Sequence, residues 1–277
     1  MGSLPPGNTH MTGVLGVAAV LIAAAAHAET KPQFEHKSRA ANISVTVEPE
    51  LRKHPGLFEN LLAEGKRRAE RHRAEAAKEM RERPDFFTEG RGWYFESNYV
   101  LRSVVLNRYV SVVRAEATYS GGAHPNSYFD TILWDRDSKR RMNVRPFFRE
   151  TADNGPTMQA LARLARLAVA AEKLARLEDD SKDGKKVKRT PEQYLADDTQ
   201  IVDGIQPSLL KVGPISLTPS TERGKSAGLT FYYSPYAVGA YVEGPYTVAV
   251  PWVEFRTYLS PLGAAIFGGE RPKDDDI

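Results

Sequence analysis

The stretch WYFESNYVLRSVVLNRYVSVVRAEATYSGGAHPNSYFDTILW, residues 93–134, decides the fold. Trp93 to Val105 and Tyr109 to Tyr119 are dense in β-branched and aromatic residues, and Leu106-Asn107-Arg108 between them reads as a turn. Gly121-Gly122 turns the chain again, into Ser127 to Trp134. There Phe129, Thr131 and Leu133 alternate with Tyr128, Asp130, Ile132 and Trp134, a period of two that gives a strand two distinct faces. Asp135 to Lys139 reverses the chain before a short strand at Met142 to Val144. Successive strands joined by such short turns pair antiparallel.

Upstream, Phe58, Leu61, Leu62, Ala69, Ala76 and Met80 recur at three- and four-residue steps, which predicts an amphipathic helix over Leu57 to Met80. The segment 57–83 holds eight Lys/Arg against six Glu. Mixed signs of this kind mark a solvated helix face, not a nucleic-acid surface. Ile43, Val45 and Val47 predict a first strand over Asn42 to Val47, preceded by a mobile polar leader, 29–41. Downstream, Pro156 at a helix N1 position opens a second apolar-periodic helix. The charged run 178–189 reads as a solvated loop, and Thr190-Pro191-Glu192-Gln193 as a capping box for a short helix. Strands follow at Pro214 to Leu217, Gly228 to Tyr233 and Tyr246 to Val250. The reading is an α+β fold of antiparallel sheet units, each packed against one or more helices. It has two subdomains, 42–150 and 151–260, and a flexible tail, 261–277.

The chain has 277 residues, 41% of them hydrophobic, with a formal charge of +3 and no cysteine. That composition builds a packed core and excludes disorder, a disulfide framework, thiolate chemistry and a lipidated-cysteine anchor. Val14 to Ala26 is uncharged and apolar or small throughout, and Ala26-His27-Ala28 is an A-x-A pattern. Residues 1–28 therefore read as a cleavable signal peptide, too short to span a bilayer, with Met11 as an alternative start. The expected address is the periplasm or the medium, with no membrane anchor after cleavage.

Two strings stand out: Tyr119-Ser120-Gly121-Gly122-Ala123-His124-Pro125-Asn126, and Leu229-Thr230-Phe231-Tyr232-Tyr233-Ser234-Pro235-Tyr236 with Val238-Gly239-Ala240-Tyr241. In order and spacing they resemble the RsiV-like/PdaC-like family of tandem extracytoplasmic domains, found in a lysozyme-sensing anti-sigma factor and beside a peptidoglycan deacetylase domain. The first half is similar from about Ile43 to Phe148, and the second from about Thr157 to Leu259. The resemblance implies an envelope binding or sensing module, with a lysozyme-like protein or cell-wall glycan as partner. The chain lacks the sigma-binding segment and the deacetylase domain of those relatives, so neither activity is implied.

Candidate binding residues are Gly121, Gly122, His124 and Asn126 in the first string, and Tyr236, Gly239, Tyr241 and Tyr246 in and after the second. The glycines permit positive φ and close approach, and the tyrosines combine an apolar ring with a polar tip. The alternative is a hydrolase that uses His124 with Asp130 or another acid. Ser120 and Ser234 lie outside any G-x-S-x-G context, and Gly121-Gly122 lacks the Gly-Lys-Ser/Thr of a phosphate loop. No metal-ligand spacing appears, so no cofactor, metal or nucleic-acid partner is expected.

Overall fold

A computed structural model describes residues 30–54, 56–88, 92–179 and 189–275. The signal-peptide reading of 1–28 lies outside them, as does most of the charged run 178–189. The fold is α+β, with two sheets and five α-helices among the described residues.

The larger sheet takes its six strands in chain order: Phe34–Lys37 (β1), Ala41–Val47 (β2), Trp93–Val105 (β3), Tyr109–Tyr119 (β4), Asn126–Asp135 (β5) and Arg140–Met142 (β6). Every pair is antiparallel except β2 and β3, which run parallel. The exception follows from the connection, because Leu57–Glu82 (α1) carries the chain back across the sheet before β3 begins. Within the expected leader, Phe34 to Lys37 instead adds an edge strand that pairs with Asn42 to Val45.

Helix α1 lies on one face of this sheet. Leu57, Phe58, Leu61, Ala69 and Ala76 pack against Ile43, Val45, Phe95, Tyr99, Val110, Val112, Ile132 and Trp134. A glycine sits mid-helix because a Cβ at Gly65 would come within 2.5 Å of the Val45 side chain. The contact needs the backbone itself to approach the sheet.

The second sheet comprises Ile215–Thr218 (β7), Gly228–Tyr233 (β8) and Tyr246–Pro251 (β9), in the order β7-β8-β9. Pro156–Asp179 (α2), Pro191–Asp197 (α3), Thr199–Gly204 (α4) and Pro261–Ile266 (α5) complete the second half. The Thr190 capping box forms, with Gln193 N–H on Thr190 Oγ1 at 3.3 Å and Thr190 N–H on Gln193 Oε1 at 3.0 Å. Where the sequence suggested a tail from 261, the chain forms α5 and then a strap. Trp252 Nε1 holds the Gly269 carbonyl, and the Asp275 carboxylate accepts two hydrogen bonds from Arg102 Nη2.

Edge strand β7 lies across the face of the large sheet opposite α1. Its outward backbone groups meet three hydroxyls, one from each of β3, β4 and β5. Ser103 Oγ donates to Leu217 O (2.7 Å), Leu217 N–H donates to Ser111 Oγ (3.1 Å), and Ile215 N–H donates to Thr131 Oγ1 (3.0 Å). An edge that would otherwise template foreign strands is thereby satisfied inside the molecule. One core runs through the junction, joining Val105, Tyr109, Leu133 and Phe147 to Met158, Leu161, Leu217, Phe231 and Phe255. The two halves are thus two sheets with a common core.

Candidate functional site

The two distinctive strings meet. Gly121 and Gly122, at φ +83° and +124°, turn β4 into β5, and Tyr119 Oη donates to the Gly122 carbonyl across the turn. This conformation brings His124 under the loop that follows β8. Its imidazole stacks on Tyr241, with ring centroids 3.9 Å apart, and faces Tyr236, whose hydroxyl is 3.4 Å from Nε2. Tyr241 Oη donates to the Pro125 carbonyl at 2.6 Å, and Tyr236 and Tyr241 lie 5.4 Å apart. The seam is therefore built from both halves of the chain.

Two features fix the loop. Ser234 Oγ accepts the Phe129 backbone N–H on the part of β5 that β6 does not cover. Glu243 folds the far side: it accepts from the Ala240 N–H (2.6 Å) and the Tyr246 hydroxyl (2.7 Å) and pairs with Lys173 (3.1 Å). Gly239 is buried against this carboxylate, and a Cβ there would approach it to 2.6 Å. Burial disfavours the charged form of Lys173, but hydrogen bonds to Asp198 and Glu243 outweigh it and hold the ammonium above the usual lysine range.

The candidate residues divide accordingly. His124, Tyr236 and Tyr241 form the seam, with Gly121 and Gly122 as its turn. Tyr236 is 63% exposed in the left-handed region (φ +70°), and Val242 is 90% exposed beside Tyr241. Asn126 pairs through its backbone with Thr118 at the start of β5. Gly239 and Tyr246 are scaffold: Tyr246 is 3% exposed, in the core, with Arg176 stacked on its ring. The reason is alternation, since Tyr246, Val248 and Val250 all point inward from β9.

The carboxylate suggested for His124 is elsewhere. Asp130 Oδ2 accepts from Arg114 Nη2 at 2.9 Å, on the face of the sheet that carries α1. His124 Nδ1 lies 2.9 Å from the Pro125 carbonyl.

Two residues on β3 and β4, Tyr94 and Tyr119, extend the aromatic surface. They are register partners with stacked rings 6.0 Å apart. Burial, and then the neighbouring Tyr241, Glu96 and Tyr119, push the Tyr94 hydroxyl above the usual tyrosine range. Tyr94 carries no motif of its own, and only the strand register reveals its place.

Among the described residues, no helix is long and apolar enough to cross a membrane, and no group of three or more His, Asp or Glu could hold a metal. Residues 153–253 match a family model described as a protein of unknown function, DUF3298. No curated protein matches the chain. A crystal structure of a DUF3298 family member from Bacteroides fragilis is similar at 16% identity, with a TM-score of 0.50, covering 82% of this chain and 88% of the other. A DUF3298 family protein of Pseudomonas aeruginosa aligns at 17% identity and a TM-score of 0.47, covering 85% and 91%. What the chain shares with the Bacteroides structure is the fold, and residues 153–253 carry the DUF3298 match.

Proposed function

We propose that this protein is a non-catalytic binding module of the cell envelope, periplasmic or secreted, whose recognition surface is the seam of His124, Tyr236 and Tyr241. The observation that carries the proposal is the stacking of His124 on Tyr241, which joins the two distinctive strings into one surface, half-buried at His124 and Tyr241 and exposed at Tyr236. Amphipathic aromatic rings on a braced loop suit recognition, because they bring contact area at little cost in side-chain entropy. The resemblance to the RsiV-like/PdaC-like domains and the apolar stretch Val14 to Ala26, with the A-x-A pattern at Ala26-His27-Ala28, support the envelope address. The partners they suggest are a lysozyme-like protein or cell-wall glycan. Purified protein should be retained on immobilised lysozyme or on peptidoglycan fragments. Failure of correctly folded protein to bind either would rule out both partners.

A further inference from the structure

Beyond the seam, β7 leaves part of the large sheet uncovered. On this face Tyr94, Glu96 and Asn98 of β3 lie beside Tyr119, Ala117 and Ala115 of β4, their register partners. Glu96 is exposed and the other five are half-buried, so no packed layer of the described residues covers them. From Tyr119 to Ala115 the strip is about 13 Å long, at the usual rise of a strand.

The polar chemistry of the strip is one-sided. Asn98 Nδ2 donates to Glu96 Oε1 at 2.7 Å. This bond leaves the second Glu96 carboxylate oxygen and the Asn98 amide oxygen as acceptors. None of the six residues is a Lys or Arg, so the strip has nothing to neutralise a phosphate, sulfate or carboxylate. The alanine floor provides no deep pocket of the kind that anchors a protein side chain. Aromatic faces beside paired acceptors instead match a ligand with apolar C–H faces and a fringe of hydroxyl donors. We infer that this strip binds a short run of uncharged sugar rings, with Tyr94 and Tyr119 as stacking platforms and Glu96 and Asn98 accepting from ring hydroxyls. The inference rests on the binding-module reading and gives that module its ligand class.

Calorimetric titration of the full chain with an N-acetylglucosamine tetramer and with a β-1,4-linked glucose tetramer tests it. At least one should bind saturably in the millimolar range or tighter, and Glu96→Ala, at an exposed position, should weaken it about tenfold. Tyr94→Leu, checked for folding by circular dichroism, should do the same. Absence of saturable binding by both tetramers overturns the inference, as does unchanged affinity in Glu96→Ala. If both tetramers fail while Tyr236→Ala still abolishes retention on an envelope partner, the sugar inference falls and the binding-module reading stands.

Discussion

Replacing Ser111 by Ala tests how the two sheets are joined. Its Oγ accepts the Leu217 N–H at 3.1 Å, and Ser111 is 1% exposed, so water has no route to the orphaned donor. A buried donor left unpaired costs about 1–3 kcal/mol, and Ala keeps the Cβ, so no carbon contact is lost. For a chain of this size that lowers the melting temperature by roughly 2–4 °C per kcal/mol. Ser103→Ala is the internal comparison. Ser103 is half-buried and donates to the Leu217 carbonyl, where water can take its place, so its cost should fall below that of Ser111→Ala. Urea unfolding followed by both tryptophan fluorescence and far-ultraviolet circular dichroism reads the difference. Because one core spans the junction, both probes should report a single transition in each variant. A Ser111→Ala midpoint equal to wild type, or a cost no larger than that of Ser103→Ala, would refute the edge-capping account.

Lys173→Met should destabilise by about 1–3 kcal/mol, because it removes the 3% exposed cation that Asp198 and Glu243 share while both carboxylates keep their backbone N–H donors; an unchanged urea midpoint would contradict this. Burial, first among the causes at both sites, holds the imidazoles of His54 and His72 below the ordinary histidine value of about 6.5, so the unfolded chain binds more protons in the window beneath it. Stability should be full above about pH 6.5 and decline as pH falls through that window, and a urea midpoint that stays flat between neutral pH and pH 5 would argue against buried neutral histidines. Hydrogen bonds from Arg108 and then Ser138 hold the Asp135 carboxyl far below the usual range. Its contribution is therefore present above about pH 4 and lost as pH falls through the depressed folded value, so Asp135→Asn should flatten the acid limb of the stability curve.

Most of the large sheet is legible in the sequence because its strands are local. The alternation in Ser127 to Trp134 and the turns at Leu106 to Arg108 and Gly121-Gly122 fix β3, β4 and β5 almost to the residue. What escapes is set by distant partners. Phe34 to Lys37 becomes a strand only because β2 offers it an edge, and Asp275 is held against the large sheet by Arg102, a partner distant in sequence, as well as by its neighbour Arg271. Helix α4 has the Asp198 cap on Ile201 N–H, a signal readable in Asp198-Thr199-Gln200-Ile201 but masked by the brevity of the segment. At the site, His124, Tyr236 and Tyr241 stand out as residues, yet their meeting depends on how the second sheet docks, which no local pattern encodes. Tyr246 shows the converse: it belongs to the same aromatic run, and strand alternation sends it into the core.

The central claim, that the seam is a recognition surface, is tested most directly at Tyr236. This side chain is 63% exposed, so Tyr236→Ala can leave the fold intact while removing a ring from the surface. The decisive measurement is the affinity of wild type and Tyr236→Ala, side by side, for whichever of lysozyme or peptidoglycan fragments retains the protein. The account predicts at least a tenfold loss, about 1.4 kcal/mol, with an unchanged melting temperature. Equal affinity of the two proteins would contradict it.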